Sequence, residues 1–224
     1  MRLLLLSLLT AAFLYGECHS PGKERWAIKT SVPANPNFAK TKKATLEEMM
    51  KLGNPPGARN KDPNFDSKRI PAFDNGLNVK EGDFVTVTGY LYLVATEDND
   101  CEYHIQITDQ PRTATDKPAD GDQCLIVEVA RPADFKEPEL QKHAQATRDF
   151  IKTKLVANKE PGPSGNVMQH AVFVQVSGQL FYDNAHLKTD GTAQPRGKKG
   201  MTSKTLWELH PVFDMKFAPK PAAR

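Results

Sequence analysis

Phe84-Val-Thr-Val-Thr-Gly-Tyr-Leu-Tyr-Leu-Val-Ala-Thr96 decides how this chain is read. Apolar side chains recur at every second position, with Val85, Val87, Leu91 and Leu93 on one face. That is the period of a strand with one side buried and the other wet. Gly89 interrupts the run near its middle, and a glycine inside a strand marks a bend or bulge. A long first strand that bends can serve both halves of a small closed sheet.

Downstream, the same period recurs four times. Tyr103, Ile105 and Ile107 alternate with Glu102, His104 and Gln106, and Leu125, Val127 and Val129 make a third strand. Val172, Val174, Val176, Leu180 and Tyr182 make a fourth, and Trp207, Leu209, Phe213, Met215 and Phe217 a fifth. Helical spacing occurs between the third and fourth, over residues 134–156, where Leu140, Ala144, Thr147, Ile151 and Leu155 share one face. Three strands, a helix and two strands is the order of an oligonucleotide/oligosaccharide-binding (OB) barrel. The fold class expected is therefore mainly β, a five-stranded OB-type barrel with one helix between strands three and four. A β-sandwich with an inserted helix is the rival.

Upstream, the composition changes. Residues 21–80 are rich in Pro, Asn and Lys and read as an irregular arm, pinned to the barrel by Trp26, Ile28, Phe65, Ile70 and Phe73. Within it, Thr45-Leu-Glu-Glu48 is a capping box that opens a short helix, closed by Gly53. Residues 1–20 carry one positive charge before a short apolar run that ends in small and polar residues. This is the pattern of a cleaved signal peptide, too short for about 30 Å of hydrocarbon. A secreted or periplasmic protein is expected, with its barrel over 81–218, a tail over 219–224 and no transmembrane segment in the mature part. The 224 residues are 39% hydrophobic and 25% charged with a net charge of +3, too small to argue for nucleic acid by itself.

The second and third strands, paired antiparallel, place Thr108 opposite Cys124 and His104 opposite Glu128. Cys101 and Cys124 then lie about seven strand residues, on the order of 20 Å, apart. A disulfide needs Cα atoms within about 7 Å, so none is expected between them. Cys18 can leave with the leader.

Four stretches carry a resemblance. They are Arg25-Trp-Ala-Ile-Lys-Thr30, Glu97-Asp-Asn-Asp-Cys-Glu-Tyr-His104, Val176-Ser-Gly-Gln-Leu-Phe-Tyr-Asp-Asn-Ala-His186 and Leu206-Trp-Glu-Leu-His-Pro-Val212. Together they resemble a family of uncharacterised secreted bacterial proteins with an acidic-Tyr-His element, a Phe-Phe-Asp-x-x-His-like element and a Glu-x-His-Pro-Val element. The resemblance implies no activity. This chain has Leu187-Lys-Thr-Asp190 where many such proteins have a glycine-rich turn.

Candidate functional residues follow from the polar side of the strands. In the OB order 1-2-3-5-4, the fifth strand neighbours the third, so His104, Glu128, Glu208 and His210 form one outward patch, with His186 in the loop that borders it. Imidazoles among carboxylates can exchange protons near neutrality or hold a divalent metal such as Zn²⁺. They can equally be ordinary cross-strand pairs. His104, His186, Glu208 and His210 are the candidate catalytic set. Glu128, outward-facing Tyr90 and Tyr92, and the basic loop residues Lys188, Arg196, Lys198 and Lys199 are the candidate ligand contacts. Three functions fit: a binding module for an anionic polymer such as nucleic acid or for an oligosaccharide, a hydrolase or phosphodiesterase, and an envelope structural or partner-binding protein.

Overall fold

The computed structural model describes residues 24–33, 36–119 and 121–220; the leader expected over 1–20 lies outside them, as do the last four residues of the tail. Along the chain run α1 (Trp26–Lys29), β1 (Lys42–Lys43), α2 (Leu46–Met50), β2 (Phe84–Thr96), β3 (Tyr103–Thr108) and β4 (Leu125–Val129). They are followed by α3 (Pro138–Phe150), β5 (Asn166–Tyr182) and β6 (Trp207–Phe217). Hydrogen bonding orders the long strands β2-β3-β4-β6-β5, and β5 pairs back onto β2 to close the sheet. Only β4 and β6 run parallel among the barrel neighbours, in register at Val127 and Leu209. This is the OB-type barrel expected from the strand–helix order, with α3 between its third and fourth strands.

The β3–β4 register is as derived, with His104 opposite Glu128 and Tyr103 opposite Val129. Cys124 is free and buried, whereas Cys101 is in a disulfide, so no bond joins the two. Burial pushes the Cys124 thiol up to about 12, leaving it un-ionised and inert. The capping box of α2 forms as read. The Thr45 hydroxyl accepts from Glu48 N at 3.1 Å and Glu48 Oε2 accepts from Thr45 N at 2.8 Å. α2 ends at Met50, before Gly53. α3 starts later than the periodicity suggested, because Pro132–Asp134 forms its own turn and Phe135 is extended; a π-turn, Ile151–Leu155, continues it.

Two strand assignments need correcting. In β2 the register breaks between Leu91 and Leu93 against both neighbours, so the bend falls at Tyr92. The phase flips there. Val85, Val87, Leu91 and Val94 fill the barrel, whereas Leu93 packs outside it with Tyr92, Ala95, Cys124 and Met201. Gly89 serves a different need, because a Cβ there would stand 2.5 Å from Leu46 Cδ1 and 2.6 Å from Ile107 Cγ2. In β6, shifts near Gly178 turn Val212 inward and Phe213 outward, where Phe213 meets Phe38 and His143. Phe217, expected inside, is exposed.

The expected wet faces are also mostly covered. Every residue of β3 and β4 is buried, because the arm and the β5–β6 loop lie over their outer side. Ile28 and Ile70 are buried anchors as expected, with Phe65 and Phe73 partly buried. The strongest tie is electrostatic. Arg25 forms a two-pronged pair with Glu81 at 2.6 and 2.8 Å and donates to the carbonyls of Phe65, Lys68 and Tyr182. Among the described residues, no helix is long and apolar enough to cross a membrane.

Candidate functional site

Strand alternation puts His104 and Gln106 on the outer side of β3, with Glu102 just ahead of it in the same phase, Glu128 on that of β4, and Glu208 and His210 on that of β6. The parallel β4–β6 pairing sets Glu128 beside the last two. The sequence placed four of these residues together and the structure does so too. It differs in their exposure: His104, Glu128, Glu208 and His210 are all buried. The patch is a sealed floor, because α1 lays Lys29 across it.

Lys29 Nζ lies 3.2 Å from Glu128, 3.7 Å from Glu102 and 4.0 Å from Glu208, and 5.6 Å from the centroid of the Phe181 ring. Burial alone would lower the lysine pKa, but the three carboxylates hold it well above its usual value. Burial opposes ionisation of Glu128 too, yet Lys29 and His104 keep its pKa well below the ordinary carboxylate value. Glu208 goes the other way. Burial, helped by the charge of Glu128, raises it to about 7. Near neutrality Glu128 is thus held ionised, while Glu208 is shared between its two forms.

Each histidine has a defined role. His104 Nδ1 faces Glu128 at 3.2 Å and Nε2 faces Gln106 Oε1 at 3.3 Å. His210 Nδ1 lies 3.1 Å from the Lys29 carbonyl, which can only accept, so Nδ1 carries the proton; Nε2 is 2.6 Å from Glu102 Oε1. His186 alone of the four candidate catalytic residues reaches solvent, with 42% of its side chain exposed and Nδ1 2.6 Å from buried Asp183. That hydrogen bond raises the His186 pKa. Burial opposes ionisation of Asp183, but the His186 bond and the Arg196 charge pull its pKa down to about 2.

Lys29, Glu102, His104, Glu128, Asp183 and His186 border a cleft of about 550 Å³ between the arm, the outer side of β3 and β4, and the β5–β6 loop, with Glu208 and His210 beneath its lining. Among the described residues, six acidic side chains line it against three Lys or Arg. Each of those cations is already paired: Lys29 with Glu128, Arg196 with Asp183 at 2.6 Å and Glu208 at 3.0 Å, and Lys198 with Glu97 at 3.2 Å.

The remaining candidates lie elsewhere. Tyr92 is buried and donates its hydroxyl to the Lys199 carbonyl at 2.6 Å, while Tyr90 packs edge-on against Phe173, so neither ring is a free stacking platform. Lys188 and Lys199 are exposed and line no part of the cleft. Arg196 is buried structure rather than a free phosphate contact. Sequence reasoning missed Glu102, Asp183, Lys29 and Phe181. Glu102 was legible, standing two residues before His104 on the same face. Lys29 was not, because strand period says nothing about which arm residue lies on a sheet.

No protein-family model and no curated protein sequence matches this chain. The fold and the cleft are therefore the basis for a functional reading.

Proposed function

We propose that this protein is an exported OB-fold binding module whose cleft takes a polar ligand without net negative charge, an oligosaccharide foremost. One observation carries the reading. The cleft lies where OB barrels commonly bind, between the outer side of the second and third strands and the loop joining the last two, and its cations are already paired with carboxylates. A polyanion would have to break those pairs and approach the remaining carboxylates. A sugar brings hydroxyls that both donate and accept, matching acids, amides and imidazoles without a charge mismatch.

The test is calorimetric titration with soluble neutral oligosaccharides beside single-stranded DNA and heparin, between about 50 and 200 mM salt. Saturable sugar binding that hardly changes with salt is expected. Binding to DNA or heparin that weakens steeply with salt would overturn the reading in favour of a polyanion.

Hydrolysis is the second reading, favoured by the Asp183–His186 pair. A buried carboxylate holds Nδ1–H and leaves Nε2 of a half-exposed ring free to take a proton from water. Asp100 also lines the cleft, and burial together with the charge of Glu102 lifts its pKa to about 6, within range of a proton donor. Turnover of a bound oligosaccharide that disappears in His186→Asn would establish this reading. Unchanged ligand after long incubation would leave binding alone.

A further inference from the structure

We propose that Glu102, Glu128 and His210 form a divalent-cation site, selective for Zn²⁺ or a similar borderline ion, in which Lys29 occupies the cation position when no metal is bound. This inference rests on the donor set and stands whether or not the cleft binds a sugar.

The three side chains offer ligand atoms within 4.8 Å of one another. His210 Nε2 lies 2.6 Å from Glu102 Oε1 and 3.8 Å from Glu128 Oε2. Donors about 2.0–2.2 Å from a tetrahedral zinc stand roughly 3.4 Å apart, a value those separations bracket. Small side-chain rotations, with no backbone movement, would close the set.

Three further observations point to a cation. First, Glu102 Oε2 and Glu208 Oε1 are buried and, among the described residues, no hydrogen-bond donor reaches them, although both face Lys29 at ion-pair distance. Buried carboxylate oxygens without donors are costly unless a charge satisfies them. Second, His210 gives its Nδ1 proton to the Lys29 carbonyl. This leaves Nε2 aimed at two carboxylates, an arrangement that requires a proton or a metal between them. A histidine whose far nitrogen donates to a backbone carbonyl is the usual form of a metal-binding imidazole. Third, Lys29 lines the cleft, so its flexible stem can withdraw the ammonium toward solvent as an ion enters. Imidazole with carboxylates suits Zn²⁺ or Mn²⁺, and the nitrogen donor disfavours Ca²⁺.

Zinc alone is the probe, titrated into the full chain after dialysis against chelator, with uptake and thermal midpoint both read. One ion per chain and a raised midpoint are expected. Glu102→Gln and Glu128→Gln should weaken uptake by more than about tenfold. Lys29→Gln should bind zinc roughly tenfold tighter or more, because no ammonium competes. His170→Asn, which removes an exposed imidazole, should change nothing. The proposal is overturned if wild-type protein takes up less than one zinc, if His170→Asn abolishes uptake, or if Lys29→Gln binds no more tightly than wild type. That last variant keeps both proposed carboxylate ligands, so it decides the matter even where a Glu→Gln protein fails to fold.

Discussion

His186 and His104 are both paired with a carboxylate, but only His186 reaches solvent, and that decides what each ring can do. Both rings line the cleft, but His104, with 8% of its side chain exposed against 42%, is far less open than His186 to proton exchange with whatever occupies it. The linkage to stability follows from the two shifts. Asp183 is depressed to about 2 from an ordinary 3.8, so its contribution is present above about 3.8 and lost as pH falls through about 2. His186 is raised above 6.5, so its contribution is complete below that value and lost as pH climbs through the raised one. The pair therefore stabilises most between about pH 4 and 6.5. Asp183→Asn should bring the His186 titration, followed by NMR of the ring carbons, down toward the ordinary value. It should also lower stability in that window by about 3–5 kcal/mol, since Arg196 loses one of its two carboxylate partners. An unmoved His186 titration would show that Asp183 does not hold the ring.

At the scale of elements, one carboxylate gathers several of the ties between the arm and the barrel. Glu81 accepts both prongs of Arg25, the Ile70 amide at 2.7 Å and the Tyr182 amide at 3.0 Å, tying two points of the arm and the end of β5 to one side chain. Glu81→Gln keeps the volume but leaves Arg25 buried without its counter-charge, a loss of about 3–5 kcal/mol. Limited proteolysis should then cut within residues 24–33 faster than in the wild type, while the barrel stays intact; unchanged cleavage would mean that the remaining contacts hold the arm without Glu81. None of this was legible in the sequence, because Glu81 sits in a turn-like Lys-Glu-Gly-Asp stretch and an ion pair 56 residues long leaves no periodic trace. What was legible is what repeats locally: strand period, the Thr45 capping box and the His104–Glu128 register. Gly89 misled for a physical reason. The same residue that permits a bend also permits close approach, and Leu46, contributed by the arm, is what approaches it. The polar face was likewise placed correctly and judged wet, since alternation reports that two faces differ without saying what covers the second.

For the whole molecule, the arm is part of the core that encloses the barrel's apolar side chains. Leu46, Met49, Leu52, Ile70 and Val79 belong to one continuous cluster with Val85, Leu91, Ile107, Leu125 and Trp207. Trp207, one of two tryptophans, donates its indole N–H to the Gly53 carbonyl at 2.9 Å and stacks with Phe73 at 6.2 Å, so this fluorophore is held by both the barrel and the arm. A chain built this way should unfold as one unit, because removing the arm strips apolar cover from the barrel interior as well as from the buried carboxylates outside it. Met49 is the position to test, being fully buried on a helix of only five residues. Met49→Ala should cost about 2–5 kcal/mol, whereas Glu47→Ala on the exposed side of the same helix should stay within about 0.5 kcal/mol. In denaturant, with Trp26 replaced by Phe so that Trp207 alone reports, the fluorescence and far-ultraviolet dichroism curves of Met49→Ala should shift together and remain superimposable with an unchanged slope. An early fluorescence transition with the sheet signal still intact would instead make the arm a separately folding cover, and the floor beneath it a surface that opens while the barrel stands.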